Sequence, residues 1–144
     1  RLDKAMELGA TAVINSGKED ALEKIKELTG RRGADVVFET AGSPVTIAQT
    51  PFIVRRGGTI TLVGISSKEK INYNFAQIMD KEATIKSVFR YRNIYPKAIA
   101  AVASGAIDVK NIVTHEFDLD HIKEAYDEAV NNKTDLVKAV IKVK

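Results

Sequence analysis

Three short segments could form ligand-binding loops, because each follows a run of residues that predicts a strand. They are residues 39–43 (Glu-Thr-Ala-Gly-Ser), 63–67 (Val-Gly-Ile-Ser-Ser) and 89–93 (Phe-Arg-Tyr-Arg-Asn). Gly42 and Gly64 would let a ligand approach the backbone closely, whereas Arg90 and Tyr91 would supply a fixed charge and a hydroxyl. In the alternative interpretation the glycines only turn the chain and Arg90 and Tyr91 are surface residues. The residue types alone leave both interpretations open.

Other kinds of catalytic or binding site find little support in the sequence. Neither G-x-G-x-x-G nor G-x-x-x-x-G-K-[ST] occurs, so the usual phosphate-binding loop is missing from this sequence. Cysteine is absent, and the two histidines, His115 and His121, do not form an H-E-x-x-H pattern. We therefore expect no metal site in this chain and interpret His115 as a packed or surface histidine. The acidic residues between 118 and 128 are explained by a helix cap and a solvated helix face.

The elements that would position these loops alternate along the chain. Helical spacing of apolar residues predicts helices over 2–8, 21–28, 44–52, 96–103 and 122–129, the third with Pro51 inside it. Runs rich in β-branched residues predict strands over 11–14, 34–39, 59–63, 82–89, 112–117 and 139–143. Residues 71–75 alternate apolar and polar side chains and predict a half-exposed strand near an edge. This alternation of strands and helices predicts an α/β fold with a parallel sheet and flanking helices.

Composition limits the class of protein further. The 144 residues carry 22 Lys and Arg against 19 Asp and Glu, a net charge of +3, and the two signs are interspersed, which does not suggest a nucleic-acid partner. The sequence shows neither an apolar run of about 18 residues nor a signal peptide, so we expect no membrane partner and a cytoplasmic location. The first residue is arginine and the first residues read as the middle of a helix. We therefore expect a fragment of a longer protein.

An ordered series of motifs carries a family resemblance over essentially the whole chain. The motifs lie at residues 1–5 and 8–10, 39–42, 57–59 and 62–64, 88–91, and 105–109 and 113–115. Together they resemble the zinc-dependent medium-chain alcohol dehydrogenases, in particular the sorbitol (polyol) dehydrogenase branch. The segment Val-Phe-Arg-Tyr at 88–91, followed by Asn93 and Pro96, is its most specific part.

The resemblance implies a partial Rossmann-type sheet whose first strands are missing. Residues 1–144 would be the distal part of a nicotinamide-dinucleotide-binding domain with a C-terminal segment, and the zinc catalytic domain would be absent from this chain. The complete enzyme would transfer a hydride between a small-molecule polyol or secondary alcohol and NAD, with zinc held by ligands outside this chain. It would be a homo-oligomer, and this chain alone would be inactive.

The resemblance also implies roles for particular residues. Arg1 would lie near the adenosine ribose, and Arg90 and Tyr91 would reach the substrate. The nicotinamide side would be lined by two segments, the first Val63, Gly64 and Ile65 and the second Val88, Phe89 and Arg90. No catalytic residue and no metal ligand would lie in this chain.

Two other functions remain open from the sequence, together with one structural alternative. The chain could be a non-catalytic α/β module that binds a small ligand or a partner, or part of a zinc-free reductase of the same superfamily. The alternation at 71–75 leads us to expect that this strand pairs antiparallel with its own copy across a two-fold axis. The alternative is an ordinary loop whose apolar side chains fold inward.

Overall fold

The computed structural model describes residues 1–143 and divides into two units. We call Ile14–Arg92 the sheet unit, and residues 1–13 together with those from 93 onward the terminal unit. The helices are α1 (Leu2–Glu7), α2 (Ala21–Leu28), α3 (Pro44–Ile53), α4 (Phe75–Lys81), α5 (Tyr95–Ala103) and α6 (Ile122–Asn131). The strands are β1 (Ala34–Glu39), β2 (Val54–Leu62), β3 (Thr84–Ser87), β4 (His115–Asp118) and β5 (Ala139–Lys142). None of the helices described is long and apolar enough to cross a membrane.

The sheet unit is built on three parallel strands in the order β1-β2-β3. Strand β2 lies in the centre, and its Ile60 is fully buried together with Val54 at its start. Helix α3 packs on β1 and β2, while α4 packs on β2 and contributes the buried Ile78 to the same core. Strand β1 is an edge strand among the residues described, and its Phe38 is 66% exposed.

Helix α3 continues through Pro51 and ends two residues later. Proline has no N–H to donate to the carbonyl of Ile47, four residues earlier. The hydroxyl of Thr50 replaces that donor, with its Oγ1 2.8 Å from the Ile47 oxygen. Ser43 caps the start of α3, and Pro44 occupies its first turn. Pro51 therefore does not leave the Ile47 carbonyl oxygen without a hydrogen-bond donor.

Lys81, the last residue of α4, ties that helix to the junction between α3 and β2. Its ammonium donates to the carbonyl oxygens of Pro51 (2.7 Å), Phe52 (3.2 Å) and Val54 (2.6 Å). These oxygens lie where α3 ends and lack partners within the helix, so a cation is well placed there. Burial is the main cause that lowers the pKa of Lys81.

The terminal unit contains the two-stranded parallel sheet of β4 and β5, with α6 packed against both strands. Its buried apolar residues are Ala125 on α6 and Leu136 in the segment before β5. Arg1 donates a hydrogen bond from its guanidinium to the Leu136 carbonyl oxygen (3.1 Å).

Most predicted elements are confirmed, with shifted boundaries. The strand predicted over 11–14 is wrong, since these residues form no regular structure and pair with no strand among those described. Strand β2 begins five residues before the predicted 59, because residues 54–58 form an irregularity in its pairing with β1. Strands β3 and β4 are shorter than predicted, and α6 is preceded by a 3₁₀ turn over Leu119–His121 rather than by a cap at Asp120.

The strand predicted over 71–75 is also wrong. Residues 71–74 form no regular structure, Asn74 caps the start of α4 with its side chain, and Phe75 begins that helix. Tyr73 points into the sheet unit, where its hydroxyl lies 2.8 Å from Thr50 Oγ1 and its ring packs against the core. Ile71 and Tyr73 are half-buried because their side chains fold inward from a loop, whereas Phe75 is 63% exposed at the start of α4. The expected pairing of this segment with its own copy stays a prediction.

We expect Tyr73→Phe to lower the free energy of unfolding by about 0.5 to 1.5 kcal/mol, because Thr50 Oγ1 is buried and loses a hydrogen-bond partner. Urea unfolding of the full-length protein measures this change. The matched control is Tyr126→Phe, whose ring is largely exposed on α6 and should change stability little. An unchanged unfolding midpoint for Tyr73→Phe, or a shift toward monomer in sedimentation velocity, would contradict this account.

Candidate functional site

The three predicted loops follow the carboxyl ends of the three parallel strands, at the same edge of the sheet. Glu39, Leu62 and Ser87 are register partners at the carboxyl ends of the three strands. The backbone continues this alignment beyond the strands, because Val63 N and Gly64 N donate to the Glu39 carbonyl oxygen at 2.8 and 2.9 Å. On the other side Val88 N donates to the Leu62 oxygen at 2.9 Å. The expected juxtaposition of the segments after the strands is therefore present within the sheet unit.

Two glycines allow the first two loops to touch backbone to backbone. A Cβ atom built on Gly64 would lie 2.1 Å from the amide nitrogen of Gly42, and one built on Gly42 would lie 2.5 Å from the Ile65 oxygen. Gly42 also has a φ of +67°, a conformation that side chains disfavour. The close approach that these glycines permit is that of one loop to the other.

The buried carboxylate of Glu39 organises the first loop. Its side chain accepts hydrogen bonds from Ala41 N (3.0 Å), Gly42 N (3.0 and 3.2 Å) and Thr46 Oγ1 (2.7 Å). The residue is only 4% exposed, and no salt bridge reaches it from the residues described. A carboxylate can remain buried here because backbone and hydroxyl donors replace its water shell.

The third loop presents an exposed cation and two exposed rings. The guanidinium carbon of Arg90 lies 4.9 Å from the centroid of the Phe89 ring, and Phe89 itself is 74% exposed. The Tyr91 ring is also largely exposed, as is Ile65 on the neighbouring segment. A ligand at this edge could therefore meet apolar surface, a positive charge and a phenol.

The predicted site residues of the sheet unit follow two neighbouring strands, and the roles that the resemblance implies for them stay predictions. The predicted residues of the sheet unit follow β2 and β3 directly, namely Val63, Gly64, Ile65, Val88, Phe89, Arg90 and Tyr91. Arg1 belongs to the terminal unit, and its role stays a prediction. His115 is half-buried, stacks on Phe117 and contacts Thr114 Oγ1 through Nδ1 (3.0 Å), as expected of a packed histidine. Residues 1–143 contain no group of three or more His, Cys, Asp or Glu that could hold a metal ion.

Glu39 had no predicted role of its own and was considered only as the first residue of the loop 39–43. A signal was available, because a charged residue that ends an apolar parallel strand must be either solvated or satisfied by nearby donors. Thr46 in the first turn of the following helix was one such donor.

Comparisons with known proteins agree with this architecture. The sequence profile of the zinc-binding dehydrogenases matches residues 1–104. The chain is 49% identical over 143 residues to the zinc-type alcohol dehydrogenase-like protein YdjJ of Escherichia coli, covering 99% of this chain and 41% of that protein. It is 41% identical over 141 residues to a sorbitol dehydrogenase of Bacillus subtilis, covering 98% of this chain and 40% of that protein.

A solved structure shows the same fold. It is an Escherichia coli oxidoreductase/dehydrogenase of unknown specificity, which superposes with a TM-score of 0.89 at 48% identity, covering 99% of this chain and 41% of that one. The parallel strands with flanking helices define a Rossmann-like α/β domain of the alcohol dehydrogenase type. The chain belongs to the zinc-binding dehydrogenase family. It spans about two fifths of the length of the relatives it matches.

We expect Gly64→Ala to lower the free energy of unfolding by about 1 to 3 kcal/mol, because the new methyl group would overlap the Gly42 backbone. Chemical unfolding of the full-length protein measures the loss. Gly17→Ala is the matched control, since the nearest atom to its Cβ is a side-chain oxygen of Asn15 that can move away. Equal stability of the two variants would show that the two loops do not constrain each other.

Proposed function

We propose that the protein containing this chain is an NAD-dependent dehydrogenase that oxidises a polyol or another secondary alcohol. The observation that carries the proposal is the alignment of the segments after β2 and β3 at the carboxyl edge of a parallel sheet, where ligands of this fold bind. The membership of the family and the 41% identity to a sorbitol dehydrogenase support the choice of reaction and substrate class.

In this proposal the sheet unit supplies the wall that faces the nicotinamide. The backbone at Val63, Gly64 and Ile65 forms one side, and the segment Val88, Phe89 and Arg90 forms the other. The exposed Ile65 and Phe89 side chains suit a flat, weakly polar ring, and both segments are anchored to the sheet by backbone hydrogen bonds. NAD, when bound, supplies the hydride acceptor. The chain's own residues bind and orient it, with Arg1 assigned to the adenosine ribose.

The same loop would recognise the substrate. Arg90 and Tyr91 follow the last strand of the sheet and carry a guanidinium and a phenolic hydroxyl, which can bond to the hydroxyls of a polyol. We assign the recognition of the substrate to this pair.

Zinc does not fit the residues described in this chain. They provide no cluster of ligating side chains. We therefore propose that zinc, which the family name implies, is bound by residues elsewhere in the protein. We further propose that residues 1–144 form the distal part of the dinucleotide-binding domain with a C-terminal segment. The complete enzyme would be a cytoplasmic homo-oligomer.

The proposed function is tested with the purified full-length protein. NADH formation is followed with sorbitol, xylitol, a vicinal diol and a primary alcohol as substrates, and the bound metal is determined by elemental analysis. Polyol-dependent NADH formation is the expected result. Activity without bound zinc would instead favour a zinc-free reductase of the same superfamily, and the absence of NADH binding would favour a non-catalytic module.

The 144-residue chain, expressed alone, should form no NADH from any of these substrates. Its described residues include no cluster of three or more metal-ligating side chains, and it provides only part of the proposed cofactor pocket. The full-length protein, assayed beside it, is the positive control. Turnover by the isolated chain at a rate comparable with that of the full-length protein would show that the roles are wrongly assigned.

In the full-length enzyme, Arg90→Ala should lower kcat/KM for a polyol by about 1.5 to 3 kcal/mol, the value of a hydrogen bond that involves a charged group. Steady-state kinetics at saturating NAD⁺ measures the loss. Lys86→Ala is the matched control, because it removes an exposed cation from β3 without touching the proposed site. If several polyols keep their kcat/KM with Arg90→Ala, the arginine does not recognise the substrate.

A further inference from the structure

We propose that Glu39 is a positioning residue for the cofactor. Its carboxylate would hold the segment 41–46 against the segment 63–65, which in the proposed function forms one wall of the nicotinamide pocket. The inference rests on that function and adds to it a residue that would never touch the cofactor itself.

Both oxygens of the Glu39 carboxylate accept hydrogen bonds from the first loop. One oxygen, Oε1, accepts from Ala41 N, Gly42 N and Thr46 Oγ1, and the second accepts a longer bond from Gly42 N. All of these partners are donors, and an ionised carboxylate offers acceptors only. The acceptor set of Glu39 therefore matches the donor set of the loop. A glutamine in its place could keep the three bonds to one oxygen, but it would lose the negative charge and turn its NH₂ group toward the Gly42 amide, which is itself a donor.

The first loop is in direct backbone contact with the second. Gly42, which the carboxylate binds, lies so close to Gly64 and Ile65 that neither glycine has room for a methyl group. The main chain of Glu39 completes the link, because its carbonyl oxygen accepts from Val63 N and Gly64 N. One residue thus fixes the first loop through its side chain and the second through its backbone. A displacement of Gly42 would remove the surface on which residues 64 and 65 rest.

The positioning role of Glu39 differs from helix capping. Helix α3 already has a side-chain cap in Ser43, whose hydroxyl accepts from Val45 N at 3.3 Å. Of the three donors to Glu39, two belong to the segment before the helix, and Thr46 donates from its first turn. The carboxylate fixes the path of the chain between β1 and α3, which is the part that contacts residues 64 and 65.

The test uses the full-length protein and the variant Glu39→Gln, with NADH fluorescence titration as the main measurement. We expect the Kd for NADH to rise about tenfold while the number of sites per subunit stays that of the wild type, since the hydrogen bonds to the buried group lose the charge that strengthens them. Hydrogen–deuterium exchange should become faster in peptides covering 40–46 and 63–66 and stay unchanged in α4.

Asp35→Asn is the matched control, because Asp35 is a carboxylate on the same strand at its opposite end. It is exposed and paired with Arg55, whose guanidinium lowers the pKa of that carboxyl group. This variant should keep the wild-type Kd. Thr46→Val removes a single donor from Glu39 and should raise the Kd by a smaller factor, which keeps the proposal testable if Glu39→Gln does not fold.

The outcomes separate the inference from the function on which it rests. If wild-type protein binds NADH and the Kd of Glu39→Gln and Thr46→Val equals that of the wild type, the positioning role is rejected and the proposed function stands. A lower number of sites with an unchanged Kd would show that Glu39 only supports folding, and would also overturn the inference. Wild-type protein that binds no NADH would overturn both.

Discussion

The pairing of β2 with a parallel strand on each side is the constraint on which the rest of the sheet unit depends. Because the three strands run in the same direction and their register aligns Glu39, Leu62 and Ser87, every segment that could bind a ligand leaves the sheet at one edge. Connections between parallel strands must cross over the sheet, and helices α3 and α4 lie in these connections and bury Ile60 and Val54. The position of the site thus follows from the direction of the strands.

Local signals in the sequence were sufficient for most elements of this fold. The apolar run 34–39 has the bounds of β1, and Ser43 with Pro44 marks the start of α3 because both residues favour a helix start for local reasons. Prediction failed where contacts with distant parts of the chain determine the local secondary structure. Residues 11–14 have strand-forming side chains but find no strand to pair with among the residues described, and Tyr73 gives residues 71–75 an alternation that reflects packing against α3 and the core.

The candidate site could be predicted only in part, and the reason lies in the kinds of group it uses. Arg90 and Tyr91 were found because charge and hydroxyl are properties of a residue type. The predicted contribution of Val63, Gly64 and Ile65 is largely backbone, which leaves little trace in a single sequence and was supplied by the family resemblance. Glu39 was missed because its importance lies in four side-chain hydrogen bonds from the segment 41–46 and two backbone hydrogen bonds from Val63 and Gly64. Composition does not reveal whether a carboxylate is solvated or buried.

The buried carboxylate and the paired glycines are two parts of one arrangement. Loops that follow neighbouring parallel strands start about 4.8 Å apart. Where residues 42 and 64 meet, a Cβ atom on either one would overlap the backbone of the other loop. Glycine at 42 and 64 removes that obstacle and lets the two loops touch. The backbone N–H groups of the first loop then need a hydrogen-bond acceptor from the protein, because water cannot enter the contact between the loops. Glu39 supplies it from the end of β1. A buried carboxylate at the end of a parallel strand, followed three residues later by glycine, is therefore a pattern in which a charge stabilises backbone geometry.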